Sequence, residues 1–581
     1  MSLAPALAAA LALSAPACAA VKNPDTYVYL DASDYDSLDP DWTFSGASHA
    51  IDFNLYDYLL SFSTAGLSEA DIRPGLAEVV PTRANGLISA DGLVYRFPIR
   101  RGVRFHDGSE MTAEDARYSL LRFMLLDRAA GPSSLLLQPV LGLNSTRGPD
   151  GAPLPDAYER AAAAVTVEGS TLAVRLARPF APFLTILTGN APVLSRRWCA
   201  AHGQWDGDGG NWIRFNNPLP QAAIMDGDAG TGPFKLARWD KKQRQLVLDR
   251  HDVYWRGPAK LKRVIVKAVP EFSTRKLMLL AGDADAIAAT LSQRTQLEGL
   301  PGVELIDAAL PSTPLSAFFV TQISTTGNPD VGSGALDGDG IPGDFFADPD
   351  VRLAFAHLID YETFVREVLH GKGREPSGFM PGLLGGRTDG VHIPYDPGLA
   401  AQELKRAWKG QVWKKGFRFT IAFVEGDDLT PALAQMLKTN LQRLNPRFRL
   451  DVRLVQRSTS ADMSRKRFYT IITGFWRADY PDPHNVAFHL MHSVGFFPTL
   501  QGWKDPEADA LVEQAVSAPD AATRAALYAR LQKLADERVP HAPYALIRSF
   551  RTQRTWVKGY MPRPDFPVPA CGYFYDLTKS D

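Results

Sequence analysis

The chain has 581 residues, with 63 Lys and Arg against 64 Asp and Glu and a formal net charge of −1. This near-equality of basic and acidic residues argues against a protein that binds nucleic acid through a basic surface. Hydrophobic residues make up 45%, enough for several cores. At roughly 150 residues per domain, the length predicts three or four structural units.

The N-terminal stretch from Leu3 to Ala19 is apolar, rich in Ala and free of charged side chains. The small residues around Cys18 follow the A-x-A pattern of a secretory signal peptide. The run is shorter than the ~20 residues that span a bilayer, so an uncleaved anchor is the less favoured alternative. A lipid anchor on Cys18 is a second alternative, although the usual large aliphatic residue is missing before it. We predict a signal peptide over 1–20 and a periplasmic protein.

The region after residue 85 predicts a strand, a turn, a second short strand and a helix. Leu93 to Arg100 alternates apolar and polar residues, as a half-buried strand does. Thr112, with Asp115 three residues later, is the pattern of a capped helix start.

Helix and strand patterns then intermix to the end of the chain. Ser273 is expected to cap a helix that Gly282 ends, and Asp-Pro pairs at 348–349 and 396–397 predict further helix starts. A last long helix is predicted over 520–538. Intermixed elements of this kind predict an α/β fold with mixed sheets. The later strands are expected near 264–266, 418–424, 450–455 and 469–475.

The common enzyme motifs are absent. The chain has no Gly-x-Ser-x-Gly nucleophile elbow, no His-Glu-x-x-His helix and no P-loop. One Gly-x-Gly-x-x-Gly match, from Gly338 to Gly343, contains Pro342 and lacks the flanking strand and helix of a dinucleotide site. We therefore expect no enzymatic activity, no catalytic residue and no cofactor.

Two groups of residues contain possible metal ligands, and neither is predicted to bind a metal. The acidic, Gly-rich segment over 328–344 could hold calcium through carboxylate and carbonyl oxygens, but a plain solvated loop is favoured. His484, His489 and His492 lie near a helix start. At ~100° per residue the first two point apart, so surface histidines are expected.

Cys199 and Cys571 are the cysteines that remain beyond the predicted signal peptide. In an exported chain they permit one disulfide. The residues alone favour neither that disulfide nor two buried thiols.

A series of motifs runs in order along the chain, at 37–40, 74–78, 91–97, 100–108, 112–115, 230–236, 249–255, 273–285, 350–360 and 476–483. Together these motifs resemble the family 5 extracellular solute-binding proteins, the oligopeptide-, dipeptide- and nickel-binding receptors of ABC importers. The resemblance covers essentially the whole chain after the signal peptide. Two features depart from it: Pro98 removes a donor from a family strand and suggests an edge position, and 328–344 is an insertion.

The resemblance implies a bilobal clamp of the periplasmic-binding-protein type, with a hinge and an extra small domain. It also implies a monomer that captures a peptide or other small solute by closing and then meets an ABC transporter permease. Both cysteines would fall in lobe I, which favours the disulfide. The implied limits are 21–55, 165–290 and 479–581 for lobe I, 56–164 for the small domain and 291–478 for lobe II.

The resemblance also implies a ligand site in the motif from Trp476 to Pro483. Asp479 matches the acid that pairs with the α-ammonium group of a peptide, and Trp476 would supply an aromatic wall. Arg477 and Tyr480 complete the expected ligand-binding set. The alternatives are that Asp479 is a turn or cap residue, that the ligand is a nickel chelate, an opine or an oligosaccharide, and that the receptor signals without an importer.

Overall fold

The computed structural model describes residues 21–43, 45–63, 71–307, 313–380, 390, 393–563 and 571–580. The predicted signal peptide over 1–20, with Cys18, lies outside these residues. Within the described part, no helix is both long and apolar enough to cross a membrane.

The strands are short and spread along the whole chain. Their bounds are β1 Thr26–Asp31, β2 Leu60–Phe62, β3 Ile72–Pro74, β4 Val94–Pro98, β5 Val165–Glu168, β6 Thr171–Arg175, β7 Phe234–Asp240, β8 Gln245–Arg250, β9 Arg263–Ala268, β10 Ala286–Ile287, β11 Val303–Asp307, β12 Leu315–Phe319, β13 Gly373–Arg374, β14 Phe417–Val424, β15 Phe448–Val455, β16 Ile471–Gly474, β17 His541–Ile547, β18 Phe550–Arg554, β19 Val557–Lys558 and β20 Thr578–Lys579.

The helices alternate with these strands. Their bounds are α1 Gly46–Leu55, α2 Ala113–Leu126, α3 Ser134–Leu141, α4 Ala157–Ala164, α5 Phe183–Ile186, α6 Arg196–Ala201, α7 Phe272–Ala281, α8 Leu291–Arg294, α9 Pro349–His357, α10 Tyr361–Thr363, α11 Pro397–Arg406, α12 Gln411–Lys415, α13 Leu429–Leu444, α14 Arg457–Arg465, α15 Pro483–Met491, α16 Phe496–Gln501, α17 Pro506–Val516 and α18 Ala521–Arg538.

Most of the predicted helix signals are confirmed. Thr112 and Asp115 form the complete capping box of α2, and the aspartates before α9, α11 and α18 accept backbone N–H groups. Gly282 ends α7 in the left-handed region. The cap predicted at Ser273 is wrong, because α7 begins at Phe272 with Glu271 at the cap position, so Ser273 lies inside the helix.

Two main sheets organise the molecule. The first has seven strands in the order β11-β18-β10-β1-β9-β8-β7, with β1 parallel to both of its neighbours. The second has the order β13-β17-β12-β16, and the parallel pair β14–β15 packs in the same core as its central strands. Each sheet has its own apolar core, so the chain forms the two lobes that were expected.

A small sheet in the order β4-β6-β5 extends the first lobe. Among the named strands β4 pairs only with β6, so Pro98 sits on an edge strand of this sheet, as predicted; on its other side β4 meets an isolated bridge between Ile88 and Tyr95. The pairing of β4 with β6 carries this sheet through Arg175, beyond the predicted limit at 164.

The chain passes between the two main sheets at two places. It leaves the first sheet after Asp307, enters the second at Leu315, and returns between Ile547 and Phe550. Two adjacent crossings of this kind form a hinge.

The strand pairing moves the predicted limits of lobe II. β11 pairs with β18 in the first sheet, so lobe II begins after 307 rather than at 291. β17 pairs with β12, and α15 to α18 share a core with Phe318 of β12, so 479–547 belongs to lobe II rather than to lobe I. The physical reason is that long-range strand pairing, rather than chain position, decides lobe membership.

The insertion over 328–344 is packed, which corrects the expectation of a solvated loop. Val331, Leu336 and Ile341 lie in the core of lobe II. Asp330 forms a two-pronged ion pair with Arg453, at 2.9 and 2.6 Å. A second pair joins Asp339 to Arg449.

These pairs give no support for a calcium site in the insertion, because two of its carboxylates already form ion pairs with arginines. Among the described residues, no group of three or more His, Cys, Asp and Glu side chains is arranged to hold a metal ion.

The expected disulfide is absent from the described structure. Cys199 and Cys571 are both free thiols, buried within the core of lobe I. Burial raises the pKa of Cys199 to about 12 and that of Cys571 further still.

We therefore expect both cysteines to resist alkylation in the folded protein, since the thiolate is the reactive form. Alkylation after denaturation without a reductant should add one alkyl group to each of the peptides that contain Cys199 and Cys571, as read by peptide mass mapping. A sample reduced first serves as the control. Adducts that form only after reduction would show that the disulfide exists.

Candidate functional site

The motif from Trp476 to Pro483 connects the edge strand β16 to the start of α15. Its first residue is bonded to the hinge. The Trp476 N–H donates to the Thr313 hydroxyl at 2.6 Å, and that hydroxyl donates to the Trp476 carbonyl at 2.8 Å. Thr313 immediately precedes β12, on one of the two crossings. A ligand that contacts Trp476 would therefore touch a segment bonded directly to the hinge.

The far end of the motif is fixed to α18. Asp482 caps α15 by accepting the His484 N–H. Its carboxylate also forms a two-pronged ion pair with Arg524, and both side chains are almost fully buried. Charge-assisted pairs of this geometry are strong and directional, so α15 is held in one orientation below the motif.

Asp479 and Trp476 share a hydrogen-bond partner on α15, the buried Asn485. The Asn485 amide donates to Asp479 Oδ2 at 2.9 Å. Its oxygen accepts the Trp476 indole N–H at 2.7 Å and the Asp479 backbone N–H at 3.1 Å.

An aromatic wall stands beside the carboxylate. His489, one turn after Asn485, stacks on Trp476 with ring centroids 4.1 Å apart, and Phe496 lies 5.3 Å from the same indole. His489 Nε2 is 3.8 Å from Asp479 Oδ2. Burial lowers the pKa of His489 to about 3, so this imidazole is neutral at neutral pH.

Asp479 is a buried carboxylate without a cationic side chain to balance it. Its side chain is 13% exposed. Burial raises its pKa to about 7, and the bond from Asn485 opposes that rise only in part. Among the described residues, no Lys or Arg lies within ion-pair distance of it. A carboxyl of this kind marks a place where a functional partner is expected.

The other two predicted site residues have different surroundings. Arg477 is exposed, and desolvation by the surrounding protein lowers the pKa of its guanidinium. Tyr480 is 4% exposed and its hydroxyl bonds to His484 Nδ1 at 2.8 Å. This supports a packing role for Tyr480 rather than a direct ligand contact.

The residues of lobe I that face this motif lie in the segment 178–190. The Asn190 amide donates to the Asp479 carbonyl at 3.0 Å, and Phe180 packs edge-on against His484 at 5.1 Å. Tyr480 and Val516 are the two residues between 287 and 555 that are buried in the core of lobe I. The lobes are therefore in contact in this structure.

Sequence reasoning missed Asn485, His489 and the facing segment. The expectation of surface histidines is wrong: His484 is 2% exposed, and the side chains of His489 and His492 are 21% and 13% exposed. The spacing of 485 and 489, one helical turn apart, could have shown that both face one side of α15. Nothing local pointed to 178–190, because it reaches the site only through the tertiary fold.

Two lobes, a hinge with two crossings and a polar site where the lobes meet define a ligand-binding clamp. The model of the bacterial extracellular solute-binding proteins, family 5, matches residues 71–497. The chain belongs to this family of substrate-binding proteins.

Individual relatives agree with this assignment over nearly the whole chain. Di/tripeptide-binding protein 2 of Pseudomonas aeruginosa is 25% identical, covering 90% of this chain and 89% of the relative. Heme-binding protein A of Haemophilus influenzae is 23% identical, covering 93% and 90%. The periplasmic binding protein DppA of Helicobacter pylori, solved with the peptide STSA, superposes with a TM-score of 0.72 at 22% identity and covers 96% of this chain and 98% of its own.

The raised pKa of Asp479 predicts how the unfolding free energy of the ligand-free protein changes with pH. Its folded pKa lies above the unfolded value, so the carboxyl destabilises the fold increasingly as pH rises from about 4 towards 7. We expect Asp479→Asn to be more stable than the wild type, with the difference in unfolding free energy growing by roughly 2–3 kcal/mol between about pH 5 and about pH 8.

Denaturant unfolding at the two pH values measures this difference. Asp252→Asn, at a side chain that is 74% exposed, is the matched control and should show a flat difference. A flat difference for Asp479→Asn as well would contradict the account of the site.

Proposed function

We propose that the protein is the extracytoplasmic substrate-binding component of an ABC importer and that it captures peptides between its lobes. The observation that carries the proposal is the buried Asp479 carboxylate, which has no Lys or Arg partner among the described residues and lies where the lobes meet. A peptide α-ammonium group would supply the missing charge.

The ammonium would bind more strongly here than at an exposed carboxylate. Burial reduces the competition from water and lowers the effective dielectric constant around the pair. The bound cation would also draw the pKa of Asp479 back down, so binding releases a proton wherever the carboxyl was protonated. Affinity should therefore rise with pH up to about 7 and stay high until the ligand amine loses its own charge.

Two neighbours of Asp479 suggest how the rest of a short peptide is held. The stacked pair of Trp476 and His489 offers a flat apolar surface for the first side chain. Arg477 offers a cation two residues from the acid, to which a ligand carboxylate could bind. Main-chain hydrogen bonds would complete a mode of binding that tolerates many side chains.

Closure would couple binding to a change of shape. The contacts between lobes include the Arg178–Glu513 ion pair, and hydrogen bonds from Ala181 N–H to the Val516 carbonyl at 2.9 Å and from the Ser517 hydroxyl to the Pro179 carbonyl at 3.0 Å. A ligand that bridges the lobes adds interactions present only in the closed form, so it shifts the population towards that form. A permease could then distinguish the loaded receptor.

The cellular setting follows from the same proposal. We infer a periplasmic monomer, exported by the signal peptide over 1–20, whose partners are a small solute and a membrane permease. No catalytic step, cofactor or nucleic acid enters the proposed role.

Native mass spectrometry of the purified protein tests the ligand class. We expect short peptides to co-purify, and Asp479→Ala to weaken dipeptide binding about 100-fold or more, because a buried charge pair loses one partner. The N-acetylated dipeptide should bind wild type and variant equally weakly, and Asp252→Ala is the control substitution. A single non-peptide mass, with no affinity for dipeptides, would contradict the peptide proposal.

The ion pair between Arg178 and Glu513 leads to a separate prediction about the rate of ligand release. Arg178→Gln and Glu513→Gln should each speed ligand dissociation several-fold, and the double variant should be no faster than either single one, as expected for interacting residues. Stopped-flow dissociation measures this. Arg366→Gln, in an exposed pair within α10 and the turn after it, is the control. Additive effects of the two substitutions would show that the pair does not act as a unit.

A further inference from the structure

We propose that Asn485 is a positioning residue that holds the Asp479 carboxylate and the Trp476 indole in the arrangement from which both meet the ligand. The proposal deepens the peptide-binding function, because it rests on Asp479 as the ammonium site.

The geometry of the amide supports this role. Asn485 makes three hydrogen bonds to the motif, one as donor to the Asp479 carboxylate and two as acceptor from the Trp476 indole and the Asp479 backbone. A primary amide has both a donor and an acceptor end on one short side chain. A carboxylate of the same shape would keep the two accepted bonds, but it would replace the donated bond with repulsion.

Asn485 itself is firmly held. It is 1% exposed and lies in the first turn of α15, which Asp482 caps and pairs to Arg524. A buried amide in a fixed helix is costly unless its polar atoms are bonded. Here the bonds go to the two side chains of the proposed ligand site.

The donated bond also bears on the charge of Asp479. Asn485 and His489 face the carboxylate from α15, while Asn190 reaches only the Asp479 carbonyl from lobe I. Asp482 is the nearby acid on the motif itself, and Arg524 neutralises it. The Asn485 amide is therefore the neighbouring side chain that favours the ionised form, together with the backbone N–H of Asp479 itself, since a hydrogen bond donated to a carboxylate stabilises it.

Asn485→Leu is the sharpest test, because a side chain of similar size removes the donor without adding a second ionisable group; Asn485→Ser is the second variant. The ligand-free readout is the midpoint of the Asp479 titration in the folded protein, taken as the pH above which the stability difference from the matching Asp479→Asn double variant stops growing. We expect Asn485→Leu to raise this midpoint by about one pH unit, and Asn485→Ser, whose hydroxyl can still donate, to raise it by less. In either variant, tryptophan emission should change because the Trp476 indole loses or alters its acceptor.

Asn190→Ala is the matched control: it also removes an amide bonded to Asp479, but at the carbonyl, and should leave the midpoint unchanged. An unchanged midpoint in Asn485→Leu, or an equal rise in Asn190→Ala, would overturn the proposal.

Dipeptide affinity measured as a function of pH tests the role of Asn485 separately from the proposed peptide-binding function. The affinity of the Asn485 variants should fall most below the new midpoint and recover in part above it, whereas a merely structural loss would lower affinity equally at every pH. If the wild type binds no peptide, the peptide function fails, while the ligand-free midpoint still decides the role of Asn485.

Discussion

The site depends on one unfavourable arrangement, a carboxylate that the fold buries without giving it a positive side chain. Desolvation of a charge is among the largest penalties in a folded protein, and most buried acids here avoid it. Asp482 has Arg524, and Asp330 has Arg453. Asp479 has an amide and a neutral imidazole instead. In the proposed function an arriving ammonium group would supply the missing charge, so that the stability lost in the empty protein would become affinity in the loaded one.

The placement of that carboxylate explains why binding and closure are linked. The motif is bonded to the hinge at Thr313 and packed against α18 at Asp482, so Asp479 is fixed relative to lobe II. Lobe I reaches it from 178–190 through a small number of contacts, of which the Arg178–Glu513 pair is partly solvated. Contacts that are few and partly exposed are weak. A ligand that adds its own bonds between the lobes would shift the population further towards the closed form.

The sequence predicted what is local and failed where distant segments pair. Caps such as Thr112 with Asp115, the edge position of Pro98 and the α/β class follow from short patterns, and the structure confirms them. The limits of lobe II required the knowledge that β11 joins β18 and that β17 joins β12, pairings of strands more than 200 residues apart. The free cysteines, the buried histidines and the packed insertion share that cause, because burial is a property of the assembled fold. Asp479 was found through its motif, whereas Asn485, six residues later, gave no signal of its own.

In the proposed site, Asp479 and Asn485 have separate tasks. A ligand needs a charge of the right sign in the right direction, and these two demands fall on different residues. Asp479 would supply the charge, while Asn485 would fix its direction and, through the same amide, the plane of Trp476. Asp482 holds the start of α15 through its cap and through Arg524, so the position of Asn485 depends on bonds that lie outside the proposed ligand site. Substitutions around the carboxylate would then change the surface offered to a ligand without moving Asp479.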